Sequence, residues 1–342
     1  MENVTLITRK KSKLGFTLYM IIGFVLLIIC IAASISFGAA KMDIGTAWKA
    51  ILNFNPDITE HQIIRTLRLP RTFGDIIVGS SLAVAGAIMQ GSTRNPLADS
   101  GLMGVNSGAA FTIALCLAFF PGYTYYMLSI FSFVGAGLGV GVTYLIASIS
   151  KRGMTPQRLV LSGISVSMLF SAMSSFIGIK YSIGQKLSYW SAGGVASISW
   201  SELMVVAPWF IVGIAIAFIL SPSITVLSLG EEVAKGLGQR TIMIKSIASV
   251  VVLILAGISV SIAGPIGFVG LIVPHIMRFL LGVDYRYIIP ASAIYGGAFM
   301  VLADLIGRLI NRPYETALGI IFAIVGVPFF LYISRREGRS FE

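Results

Sequence analysis

Charge is scarce in this chain. Asp, Glu, Lys and Arg make up 11% of its 342 residues, against roughly 25% in a soluble domain. Hydrophobic residues make up 56%, and the mean hydropathy is +0.90. These values exclude an ordinary soluble fold and point to an integral membrane protein. Histidine and cysteine are also rare. His61 and His275 are too few for a metal site. Cys30 and Cys116 sit inside apolar runs without metal-ligand spacing, so they read as small packed residues rather than a disulfide. There is no GxxxxGK[ST] phosphate loop, so the chain is not its own ATPase. Nucleophile elbows, zinc signatures and paired catalytic carboxylates are missing too, which leaves an intramembrane enzyme poorly supported.

What is present is a series of charge-free runs. A helix needs about 20 apolar residues to cross the hydrocarbon core. Gly15 to Ala40 is the first such run, too long for a signal-peptide core and without a clear cleavage site. Ile76 to Thr93 is the second. Ser100 to Ser150 holds two spans separated at Phe120-Pro121-Gly122. Leu159 to Ile179 and Leu203 to about Ser221 follow. Ser246 to Met277 holds two more, broken at Gly264-Pro265-Ile266-Gly267, the latter span short. Residues 287 to 307 and Thr316 to Ser334 complete about ten spans. The expectation is an all-α integral membrane protein, one transmembrane domain over residues 1–342. Its polar parts are a tail at 1–14, a loop segment at 222–245 and a tail at 335–342.

The net charge of +11 does not imply nucleic acid, because the basic residues are scattered over loops. They favour one side of the membrane, the side of both termini, which the positive-inside rule makes cytoplasmic. A constant offset also aligns two parts of the chain. Arg71-Thr72 falls on Arg240-Thr241, Pro96 on Pro265, and Gly101-Leu102 on Gly270-Leu271. Five spans separate the copies, so the second would be inverted, a recurrent transporter architecture.

QGSTRNPLADSGLMGVNSGA, residues 90–109, interrupts the greasy sequence with polar, helix-breaking residues. Irregular backbone cannot face lipid, since each unpaired N–H or C=O costs several kcal/mol there. The stretch is an ordinary turn, a packed inner loop or a pathway lining. Its length and the mirrored break GPIGFVGLIVPH at 264–275 favour the pathway, with Gln90, Asn106 and Ser107 as modest uncharged lining groups. Elsewhere, Arg68 and Arg71 flank Leu69-Pro70, where proline disfavours helix at Leu69. These arginines either snorkel to headgroups or dock an acidic partner. Asp304 lies four residues before Arg308, so an intrachain pair competes for that arginine. In LSLGEEVAKGLGQR, residues 227–240, Glu231 and Glu232 start a short amphipathic helix, Glu231 pairs with Lys235, and Gly236 and Gly238 stop it. Tyr189, Trp190 and Trp200 read as interfacial anchors or as contacts at an outer mouth. His275 reads as a packed histidine.

Several stretches resemble the iron-siderophore and vitamin B12 permease family (FecCD-type) of type II ABC importers. They are RLPRT at 68–72, GSSLAVAGAIMQ at 79–90, NPLADSGLMGVNSGA at 95–109, GPIGFVGLIVPHIMR at 264–278 and GIIFAIVGVPFFLY at 319–332. Ser100 and Ala317 stand where that family usually has proline. The resemblance implies a ten-span permease of two inverted halves in a bacterial cytoplasmic membrane. It would work as a homo- or heterodimer with an ABC ATPase dimer and an extracytoplasmic binding protein. The chain itself would bind no cofactor, ATP and Mg residing on the ATPase. The resemblance further implies an inner gate at Asn95, Leu97, Met154 and Thr155. Outer docking would use Arg68, Arg71 and Arg308, and ATPase coupling Glu231, Glu232, Lys235, Gly236 and Gly238. A ferric siderophore is the expected substrate, with haem or cobalamin as alternatives. An ion-coupled secondary transporter is the rival class, resting on Asp75, Asp304 and His275.

Overall fold

The computed structural model describes residues 13–38, 43–99, 101, 104–149, 156–312 and 314–338. Met154 and Thr155 lie outside these residues. Among them every regular element is helical: α1 (Lys13–Ser36), α2 (Ile44–Leu52), α3 (Thr59–Ile63), α4 (Leu69–Thr93), α5 (Val105–Phe119), α6 (Tyr125–Ser148), α7 (Pro156–Lys180), α8 (Gly184–Ser191), α9 (Trp200–Ser228), α10 (Glu231–Gly236), α11 (Thr241–Ala263), α12 (Val269–Leu281), α13 (Tyr285–Ile310) and α14 (Leu318–Gly338). Eight of the helices are long and apolar enough to cross a bilayer.

The two remaining crossings are α5 and α12, with 15 and 13 residues. At about 1.5 Å per residue each falls short of the roughly 30 Å hydrocarbon core. Non-α backbone adjoins both, at 94–99, 101 and 104 before α5 and at 264–268 before α12. A long helix, a break and a short helix therefore occur twice, as α4–α5 and α11–α12. Five crossings separate the copies, so helices that cross in turn would carry them in opposite directions. Each break carries left-handed backbone: Arg94 and Gly104 in the first, Gly264 and Phe268 in the second.

α4 is the central element. It packs against α9, α11, α12 and α13, and its Val78, Ala83, Ala85 and Ile88 are fully buried. Two glycines permit this closeness. A Cβ at Gly79 would strike the Gly296 carbonyl on α13, and one at Gly86 the Gly270 carbonyl on α12. Small residues at such crossings are how membrane helices gain packing without a hydrophobic driving force. α1, α7 and α14 keep most of their apolar side chains on the surface, where lipid solvates them.

Two boundaries differ from the sequence expectation. Pro70 does not break the chain. A π-helical turn at Ile64–Arg68 joins α3 to α4, and the Leu69 amide reaches back to the Ile64 carbonyl. This wider turn shifts the bonding register just before the proline, which has no donor to offer. The second difference is α9, which continues through Pro208 and Pro222 to Ser228. The polar connection to α11 is thus residues 229–240, shorter than the expected 222–245.

Candidate functional site

The two ends of the bundle carry different chemistry. At one end α10 is a single amphipathic turn-and-a-half. Gly230 (φ 132°) precedes it and Gly238 (φ 78°) follows it, both in backbone that favours glycine. Glu231 ties α10 down: its carboxylate lies 2.5 Å from Lys245 Nζ on α11 and 3.4 Å from Lys235 Nζ. Thr241 Oγ1 also donates to it, at 3.4 Å. The Lys245 hydrogen bond, ahead of the burial that opposes it, holds the Glu231 carboxyl below its ordinary value. Glu232 pairs only with Lys235, at 3.4 Å. Val233 and Leu237 stay exposed beside these charges, an apolar knob on a polar helix.

The first break lies beside α10. Arg94, the left-handed cap of α4, brings its guanidinium close to Gly230. Asn95 then forms an Asx turn, its Oδ1 accepting the Leu97 amide at 3.0 Å while its carbonyl accepts from Ala98 at 3.1 Å. Asn95 is exposed and Leu97 half-buried. Farther in, Ser107 donates to Gly104 O and to Ser167 Oγ on α7, at 3.1 and 3.2 Å. Asn106 lines a small crevice between the two breaks, together with Leu82, Gly101, Ser259 and Gly264.

Gln90, expected as a lining group, is packed between α4 and α12. It is 1% exposed and donates to the carbonyls of Gly270 and Leu271, at 3.2 and 3.3 Å. Its amide braces the first turn of α12 against α4, a structural duty that follows from the close approach at Gly86.

The opposite end holds a cluster of arginines, and here the expected docking residues point inward. Arg68 is 5% exposed and donates to Ile35 O and Ser36 O, at 2.6 and 3.1 Å. Arg308 is 3% exposed. It donates to Ser34 Oγ at 2.6 Å and Ser34 O at 3.2 Å, and it pairs with Asp304 at 3.0 Å. The two guanidiniums thus cap the C-terminus of α1, where orphan carbonyls and the negative end of the helix dipole call for cations. The intrachain pair prevails for Arg308. Arg71 grips Asp304 through Nε and Nη2, the latter at 2.7 Å, and reaches Glu315 in the α13–α14 connection at 2.8 Å. None of the three presents an unengaged charge to an outside partner. Sequence reasoning had the Asp304–Arg308 pair but missed the rest, because the acceptors of Arg68 and Arg71 lie far away in the chain. Arg65 and Arg312 are the exposed arginines at this end, and Arg65 lies over the Phe54 ring at 4.4 Å.

Beside the arginine cluster opens a cavity of about 580 Å³. Tyr123, Tyr125, Tyr189 and Trp190 form much of its wall, and Arg71, Asp304 and Glu315 reach one side. Tyr189 and Trp190 therefore line this cavity. Trp200 does not: its Nε1 donates to Arg65 O at 2.8 Å and its ring packs on Phe73. His275 packs edge-on to Phe329. Asp304, shared by two arginines, is already neutralised and is a poor carrier for a coupling ion. Among the described residues no group of His, Cys, Asp and Glu could hold a metal ion.

The comparisons with known proteins agree with this geometry. Residues 26–336 match the FecCD transport family. The chain is 48% identical over 326 residues to the iron(3+)-hydroxamate import system permease protein FhuB of Bacillus subtilis (strain 168), covering 95% of this chain and 85% of that one. It is 43% identical over 334 residues to the Fe(3+)-citrate import system permease protein YfmD of the same organism, covering 98% of both. A solved structure described as a metal-chelate type ABC transporter in an inward-facing conformation superposes with a TM-score of 0.82 at 27% identity, over 94% of this chain and 99% of that chain. The chain belongs to the FecCD transport family.

Proposed function

We propose that this protein is the permease subunit of an ATP-binding cassette importer that carries a ferric siderophore across a bacterial cytoplasmic membrane. The observation that carries the reading is the juxtaposition of α10 with the first break. An exposed helix with an apolar knob sits against the residues that close the bundle at that end. A partner ATPase that grips α10 could move Arg94, Asn95 and Leu97 through a short, contiguous path. In this reading the α10 end is cytoplasmic and both termini lie on that side. Asn95 and Leu97 are gate residues, and Met154 and Thr155 complete the gate from the α6–α7 connection.

The arginine end then faces the extracytoplasmic space and receives a substrate-binding protein. Exposed Arg65 and Arg312, rather than the engaged Arg68, Arg71 and Arg308, meet acidic groups there. Such contacts would set on-rate and salt dependence more than affinity. A second permease, identical or paralogous, completes the pathway. Iron is the cargo here, and the permeases of iron chelates among the relatives support that choice over haem and cobalamin.

The test is uptake of labelled ferric siderophores, haem and cobalamin by cells lacking the protein, with and without the restored gene. Restored uptake of a ferric siderophore is expected. Restored uptake of haem or cobalamin alone would overturn the substrate. A companion variant replaces Glu231–Gly238 by a Gly/Ser linker, and the ATPase should then no longer co-purify with the permease.

A further inference from the structure

We infer that Asp75 and Asp304 form a proton-binding site at the crossing of α4 and α13, where Asp75 carries a resident proton and donates it in a hydrogen bond to the Asp304 carboxylate. The site is independent of the cargo and of the transport pathway.

Helix geometry brings the two acids together. Residues four apart share one face of a helix, so Arg71, Asp75 and Gly79 form one stripe on α4. Both ends of that stripe touch α13. Arg71 meets Asp304 at 2.7 Å, and a Cβ at Gly79 would strike Gly296 and Met300. Asp75 lies between them and meets the Asp304 carboxyl.

The surroundings leave Asp75 without a donor. It is 0% exposed, and among the described residues neither of its carboxyl oxygens has a hydrogen-bond partner. The cations beside it are engaged elsewhere. Arg71 gives Nε and Nη2 to Asp304 and Nη1 to Glu315. Arg308 turns Nε to Asp304 and its other nitrogens to Ser34. Arg68 is spent on the end of α1. Of the other helices packed on α4, α9 brings Glu202, which is held by Ser199. Lys245 of α11 is tied to Glu231, and His275 and Arg278 of α12 lie toward the α10 end.

An ionised Asp75 would be an unpartnered charge sealed from water next to a second carboxylate. A group so placed keeps its proton. As the neutral acid it has a hydroxyl to give. Three N–H groups face Asp304, two from Arg71 and one from Arg308, and a carboxylate offers about four acceptor sites. The remaining site takes the Asp75 hydroxyl. A metal ion does not suit this place, because two guanidiniums would repel it, whereas a proton needs no coordination shell. Asp75 lines neither the large cavity nor the small crevice, which makes the proton a fixed part of the fold and not a coupling ion.

Infrared spectroscopy of the purified permease in lipid nanodiscs tests the site. At neutral pH the parent should show the C=O stretch of a protonated carboxyl. Isotope-labelled aspartate should displace that band, and Asp75→Asn should lack it. Asparagine keeps the shape of the neutral acid and a donor for Asp304, so this variant should retain the parent's tryptophan fluorescence. Denaturant unfolding in mixed micelles gives a second reading. The folded parent holds a proton that the unfolded chain releases above about pH 4, so this contribution to stability is lost as pH rises. Relative to Asp75→Asn, the folding equilibrium of the parent should weaken by about tenfold per pH unit until the site gives up its proton. A parent without the band at neutral pH would overturn the inference, as would a band that ignores aspartate labelling or survives in Asp75→Asn. Parallel pH slopes for the two proteins would overturn it as well.

Discussion

Removing the carboxylate of Asp304 tests the arginine cluster most directly. Asp304 is 1% exposed and is shared by Arg71 and Arg308. In Asp304→Ala two guanidiniums lose their common counter-charge inside a medium that solvates charge poorly. Breaking a buried pair costs about 3–5 kcal/mol. The lower part of that range applies here, because Arg71 keeps Glu315 and Arg308 keeps the oxygens of Ser34. A loss of about 3 kcal/mol is more than a hundredfold in the folding equilibrium, at roughly 1.4 kcal/mol per tenfold. Asp304→Asn retains an acceptor without the charge and should lose about half as much. The assay is denaturant-driven unfolding of the purified permease in mixed micelles, followed by tryptophan fluorescence. A double variant, Asp304→Leu with Arg308→Met, removes both charges of one pair and should recover part of the loss. If Asp304→Ala stays within about 1 kcal/mol of the parent, the cluster behaves as a surface ion pair, and the account of Asp304 as a buried, shared counter-charge is wrong.

Three further outcomes follow from other parts of the structure. Glu231→Gln should leave the ATPase bound but lower transport per ATP in reconstituted vesicles, because α10 loses its tie to α11; Glu231→Lys with Lys245→Glu should restore part of it. The same tie has a pH sign: the folded carboxyl titrates below its ordinary value, so its contribution is complete above about pH 4.5 and is lost as pH falls through the lowered value, a shift readable as increased amide exchange in α10 under acid. Gly326→Ala should drive a methyl into the Phe268 ring, slowing transport, with partial rescue by Phe268→Leu; unchanged rates would show that α14 does not seat the second break.

Much of the architecture was legible in the sequence because lipid imposes a simple rule. Charge-free runs of span length became α1, α6, α7, α11 and α14, a run with Asp304 alone became α13, and the two polar breaks became irregular backbone where the helices are too short. α10 also formed between the glycines and acids that announced it. Boundaries set by proline were less legible. Pro70 and Pro222 sit inside helical stretches because a π-turn precedes the first and the Ser221 hydroxyl serves the Phe218 carbonyl freed by the second, at 2.7 Å. The arginines were legible as exceptional but not as paired, since the partners of Arg71 are Asp304 and Glu315, in a distant part of the chain. The exception is Asp304 with Arg308, whose spacing on one helix face declared it. The bonds of Gln90 were not legible either, since its acceptors are the Gly270 and Leu271 carbonyls at the close crossing of α4 and α12.

The arginine caps on α1 also set an order of assembly. α1 is made first, and its last carbonyls, at Ser34, Ile35 and Ser36, are bonded by side chains from residues 68 and 308. The second of these leaves the ribosome long after α1. Until then the Ser34 carbonyl lacks the guanidinium that meets it in the folded chain. Docking of α13 then withdraws the end of α1 from water. Completion of the permease is thereby tied to arrival of its ninth crossing, and a chain truncated before Arg308 should leave α1 accessible to water-soluble labels at Ser34.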